Sequence, residues 1–225
     1  MKRLSVIALV ILVVGTSPLG AQVQQRQRQR GGGGPQMGGA MMGDPIFLLS
    51  QKSVQKELKL SDEQVQKIQE AAAKHQQSIP QAAELDPSQR RQKMEEMARE
   101  GERAAAKIID RDQMKRLKEI KLQVQGVRAF NDPDIAKALD LTDEEKTKIK
   151  AIEDEGRTAM RGLFQPGGDP QAMRQKIEEF RKSQLEKVTA VLTADQKAKW
   201  KELTGEPFKG EIQMGPPGGG RRRNQ

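Results

Sequence analysis

The sequence predicts an all-α fold: two tandem helical-hairpin repeats flanked by disordered Gly/Arg-rich tails. Three observations carry that expectation. Apolar residues recur at helical spacing in four long segments, with charge on the remaining faces. No segment alternates apolar and polar residues with the β-branched content a strand needs. The middle of the chain also repeats itself after roughly 80 residues, the mark of a duplicated unit.

Residues 1–21 read as a signal peptide. Lys2 and Arg3 precede an apolar run from Leu4 to Val14, interrupted only by Ser5. Gly15, Thr16, Ser17 and Pro18 break it, and Gly20-Ala21 offers small residues for cleavage near Ala21. A spanning helix needs about 20 apolar residues, so no transmembrane segment is expected in the mature chain. With no Cys anywhere, a lipid anchor on cysteine is excluded, as are disulfides, thiol chemistry and Cys-ligated metals. The expected location is periplasmic or secreted. ATP and reduced nicotinamide are absent there, which counts against most enzyme classes.

Residues 22–44 form a Gln/Arg/Gly/Met-rich arm and residues 209–225 a Gly/Arg-rich tail, both too poor in apolar residues to order themselves. The net charge of +9 is concentrated there. Arg26, Arg28, Arg30, Arg221, Arg222 and Arg223 face only Asp44 and Glu211 within the two arms, and the middle is near balance. Arginine clusters on flexible arms suit anionic surfaces, so these six are the candidates for an anionic envelope partner. Basic residues are not interleaved with aromatics, so no specific nucleic-acid recognition is expected. Met37, Met41 and Met42 are thioethers of the kind that bind Cu(I), but low-complexity composition is the better explanation of them.

Residues 45–126 and 127–208 are the two repeats. Val54, Leu58, Leu60 and Ile68 fall on Ile135, Leu139, Leu141 and Ile149, 81 residues later. After the mid-hairpin turn the offset becomes 83: Arg91-Gln92-Lys93 falls on Arg174-Gln175-Lys176 and Leu117 on Trp200. The first repeat carries the stripes Val65, Ile68, Ala72, His75, Ile79 and Met94, Met97, Gly101, Ala104, Ile108. The second carries Ile149, Ile152, Gly156, Met160, Leu163 and Met173, Ile177, Phe180, Gln184, Val188, Val191. Pro80 and Asp86-Pro87 are expected to break the first hairpin, and Pro166 to Pro170 the second. Asp before Pro supplies an N-cap and a pre-set φ at Asp86, Asp169 and Asp132.

One short motif recurs. Leu60-Ser61-Asp62-Glu63-Gln64, Leu141-Thr142-Asp143-Glu144-Glu145 and Leu192-Thr193-Ala194-Asp195-Gln196 share a form, and Ile109-Asp110-Arg111-Asp112-Gln113 is a degenerate fourth. A hydroxyl or carboxylate at N-cap with Gln or Glu at N3 is a capping box, and the acids between favour the positive end of the helix. Leu60 with Val65 and Ile109 with Met114 would add hydrophobic staples. Helix starting accounts fully for each motif alone.

The paired spacing of these motifs, in a secreted, Cys-free, charged helical chain, resembles the Spy/CpxP-like LTxxQ-motif family of bacterial periplasmic proteins over about residues 53–205. The resemblance implies curved helical hairpins that dimerise and act as ATP-independent chaperones or inhibitory envelope-stress sensors. Two units in one chain make a homodimer or an intramolecular pseudo-dimer the corresponding expectation. The resulting expectation is a non-enzymatic protein that binds unfolded or partner polypeptides. The alternative is a structural adaptor whose helices meet a fixed partner and whose Arg-rich arms bind polyanions. A metal-responsive sensor is the weaker third reading, because one His is too few. No catalytic, cofactor-binding or metal residue is assigned. His75 reads as a packed helix residue, Glu95-Glu96 and Glu178-Glu179 as surface charge, and Trp200 with Leu203 as core.

Overall fold

A computed structural model of the chain describes residues 43–163 and 169–213, with backbone alone at 79–84, 87 and 170. The described residues are all-helical, with no strand among them. In order they form α1 (Pro45–Leu49), α2 (Lys52–Glu57), α3 (Asp62–Glu84), α4 (Pro87–Ile108), α5 (Arg111–Gln125), a 3-10 helix η1 (Gly126–Asn131), α6 (Pro133–Ala138), α7 (Asp143–Leu163), α8 (Pro170–Val191) and α9 (Ala194–Thr204). None of the described helices is long and apolar enough to cross a membrane.

Capping explains the boundaries. Asp44, Asp86, Asp132 and Asp169 each cap a helix that opens on proline, their carboxylates accepting amide hydrogens of the first turn. The short helices α2 and α6 end alike. Lys59 and Asp140 adopt positive φ, 51° and 50°, and Leu60 and Leu141 return hydrogen bonds to Gln55 and Ala136. Pro80 does not break the first hairpin, because α3 runs through it to Glu84. A proline removes one backbone bond and bends a helix without always ending it. The turn comes at Asp86-Pro87.

The apolar stripes feed two cores. Ile46, Leu48, Leu49, Val54, Leu58, Ile68, Ala105, Ile109, Leu117 and Ile120 form the first. Leu122, Ala129, Phe130, Leu139, Leu141, Ile149, Val188, Leu192 and Trp200 form the second. Helix α3 packs along α4, and α7 along α8. Helix α5 serves both cores, with Leu117 and Ile120 in one and Leu122 in the other. The Trp200 ring leans on Phe130, with centroids 4.4 Å apart.

Two expected boundaries move. Asp44, assigned to the arm, is buried and caps α1. Residues 209–213, assigned to the tail, are held on the first half of the chain. Phe208 and Ile212 pack on the first core, and Glu211 and Gln213 hydrogen-bond to Ser53 and Gln51. Two apolar side chains four apart are enough to seat a short segment that composition reads as tail.

Candidate functional site

All four motif positions form capping boxes. Ser61 and Gln64, Asp110 and Gln113, Thr142 and Glu145, and Thr193 and Gln196 exchange side-chain-to-amide bonds of 2.8–3.3 Å. The boxes then meet in pairs. Gln64 Nε2 donates to Gln113 Oε1 at 2.8 Å and to the Ile108 carbonyl at 3.1 Å, while Gln113 Nε2 reaches the Leu58 carbonyl at 3.1 Å. In the second half Gln196 Nε2 donates to Glu145 Oε2 at 3.0 Å. The N3 side chain thus ties the start of one helix to the start of another 49 or 51 residues away. Leu60, Ile109, Leu141 and Leu192 put the preceding apolar side chain on the adjoining core. The Thr142 amide and the Gln196 side chain hold the Glu145 carboxyl below the usual carboxylate range. In these bonds the motif side chains serve helix ends and one another.

His75 has a partner that sequence reasoning missed. Its Nε2 lies 3.1 Å from Asp44 Oδ2, with both side chains largely buried. The Asp44 hydrogen bond raises the imidazole's pKa above its ordinary value against the opposing effect of desolvation, and the charges of Asp44 and Glu100 add to the rise. Gly101 makes room for this. A Cβ there would stand 3.3 Å from Asp44 Oδ2. The positions 81 or 83 residues on are Gln125, Gly156 and Gln184, with the sizes exchanged: a Cβ on Gly156 would meet Gln184 Oε1 at 2.7 Å. In the first half the glycine leaves room for Asp44, the partner of His75, and in the second it leaves room for Gln184.

A stretch of the second helix pair lies outside both cores. Met160, Leu163, Met173, Ile177 and Phe180 are each partly exposed. Exposed Arg157, Arg161, Arg174, Lys176 and Lys182 accompany them on the same two helices. Glu95, Glu96, Glu178 and Glu179 are exposed, and Lys93 pairs with Glu96 at 2.8 Å. An open cleft of 570 Å3 beside α6 is lined by Phe130, Leu141 and Ile149 together with Lys137, Asp140, Lys146 and Lys150. That lining carries no histidine, thiol or paired carboxylates for acid–base work. Among the described residues no group of three His, Cys, Asp or Glu is placed to hold a metal.

The expected signal segment, Met37, Met41 and Met42, and the arginines Arg26, Arg28, Arg30, Arg221, Arg222 and Arg223 lie outside the described residues. No family model, curated protein or solved structure matches this chain.

The other feature missed from the sequence is the run 205–213 beyond α9. Gly205 turns it out of the helix at φ 61°. Gln123 Nε2 donates to the carbonyls of Thr204 and Glu206 at 2.6 and 2.8 Å, and Arg116 Nη1 donates to Glu206 at 2.8 Å. Gln123 Oε1 accepts from the Phe208 amide at 2.7 Å, Ser53 Oγ donates to the Glu211 carbonyl at 2.7 Å, and Gln51 Oε1 accepts from the Gln213 amide at 3.0 Å. The available signal was Phe208 and Ile212 themselves, two apolar residues four apart in an otherwise polar, Gly-containing stretch.

Proposed function

We propose that this chain is a non-enzymatic, extracytoplasmic binding protein built from two tandem helical-hairpin units, an ATP-independent holdase of the kind the Spy/CpxP-like resemblance implies. The observation that carries this reading is the partly exposed stripe Met160, Leu163, Met173, Ile177 and Phe180 among lysines and arginines. Such a surface gives an unfolded chain apolar contact and draws its acidic segments without a shaped pocket. Flexible methionines adapt to varied partners. The tandem-unit part of the proposal is supported by equivalent core positions in both halves, such as Leu58 and Leu139 or Leu117 and Trp200, and by the paired boxes.

The test is light scattering of a thermally unfolding client without ATP, with residues 22–225 added at equal molar amount. Suppression is expected, and Ile177→Ser with Phe180→Ser should weaken it severalfold while leaving the melting curve of the cores in place. No suppression by the unaltered chain would end the holdase reading.

A further inference from the structure

We infer that the first half of the molecule carries a groove for a non-helical polypeptide segment of the pattern apolar–x–Gly–x–apolar, which the chain's own residues 205–213, here called the strap, occupy and occlude with a bend at Gly210. Its cellular use rests on the binding reading above, but the groove itself does not.

The chemistry of the contact argues for this. In all six hydrogen bonds the body supplies side chains (Gln51, Ser53, Arg116 and Gln123) while Thr204 and the strap supply only backbone atoms. Backbone atoms are common to every peptide, so these bonds recognise a chain that takes this path whatever its sequence, and side-chain contacts provide selectivity. Glu206, Lys209, Glu211 and Gln213 are exposed and add nothing to selection. Phe208 and Ile212 lie on the first core. Between them Gly210 lies against both the strap's own Phe208 ring and the body: a Cβ would collide with the Phe208 ring and sit 2.7 Å from the Ser53 Cβ, so the bound path demands glycine at the centre. Phe208-Lys209-Gly210-Glu211-Ile212 is that pattern. A tethered occupant acts at an effective concentration of about millimolar. A micromolar free peptide therefore enters only once the strap is weakened.

The test uses the full mature chain and a fluorescein-labelled peptide copying residues 204–213. Phe208→Ala with Gly210→Val, made together, removes an anchor and the glycine and so releases the strap. By fluorescence anisotropy the peptide should bind this variant at least 10-fold more tightly than the unaltered chain. A peptide with valine in place of the glycine should not bind, and adding Gln123→Ala should abolish binding. Equal affinity for both proteins, or none for a released variant with native circular dichroism, overturns the groove. So does a strap-exchanged dimer that excludes the peptide, which would make a second copy the occupant. If the released variant fails to fold, hydrogen exchange on the unaltered chain decides. The Phe208 and Gln213 amides should exchange at least 100-fold faster than those of Leu117 and Ile120, because the strap opens without the core. Equal protection would make the strap a fixed part of the core and sink the proposal. Peptide binding without suppression of client aggregation would leave the groove standing and remove the holdase reading alone.

Discussion

At the scale of single residues, the Gln113 side chain serves three partners at once. Its oxygen accepts from the Asp110 amide and from Gln64 Nε2, and its nitrogen donates to the Leu58 carbonyl and, more weakly, to Gln64 Oε1. Gln113→Ala strands a cap amide and a carbonyl, an expected loss of about 1–3 kcal/mol. Gln64→Ala should cost similarly. Because the two amides share one network, the double variant should depart from additivity by about 0.5–3 kcal/mol, measurable by a denaturation cycle. His75 is the chain's sole histidine. Its folded pKa is raised by Asp44, so its stabilisation is present in full below the ordinary histidine value, about 6.5, and is lost as pH rises through the higher folded value. The melting temperature should therefore fall as pH rises from below the ordinary histidine value through the higher folded one. His75→Gln should flatten that slope, and an unchanged slope would show that the pair carries no linkage.

At the scale of elements, α5 is the member both cores share. A 15-residue helix is about 22 Å long. Along that length it presents Leu117 and Ile120 to one core, Leu122 to the other, and Arg116 and Gln123 to the strap. It is also pinned at both ends, by the Asp110 box and by Gly126 at φ 56°. A Cβ on Gly126 would meet nothing within 4 Å, so the cost of Gly126→Ala is backbone strain alone. We expect about 1–3 kcal/mol by chemical denaturation. A smaller cost would mean that the helix end relaxes.

At the scale of the molecule, two small cores joined by one rigid helix should unfold together. Trp200 belongs to the second core, so its fluorescence reports that core alone. Circular dichroism reports all the helices. Ile120→Ala removes a fully buried side chain from the first core and should cost about 2–5 kcal/mol. If α5 couples the cores, the Trp200 transition should shift with it and coincide with the circular dichroism transition. Two separated transitions would show cores that fold independently.

Much of this could be read before any coordinates. Apolar spacing marks the helices, Asp-Pro and Ser/Thr/Asp–x–x–Gln/Glu mark their starts, and the offsets of 81 and 83 relate Leu58 to Leu139 and Leu117 to Trp200. These signals are local or compare like with like. A cap needs only a side chain and an amide three residues away, and a stripe needs only its own helix. What tertiary structure decided is of another kind. Asp44 reaches His75 across 31 residues, Gln64 is matched to Gln113 across 49, and Phe208 and Ile212 return to a core built from the other end of the chain. Pro80 sits inside a helix that local rules would have ended. No residue announces such partners. They follow from which stripes pack together and from the space a glycine leaves, as Gly101 does for Asp44 and Gly210 for Ser53, and that space exists only once the helices are in place.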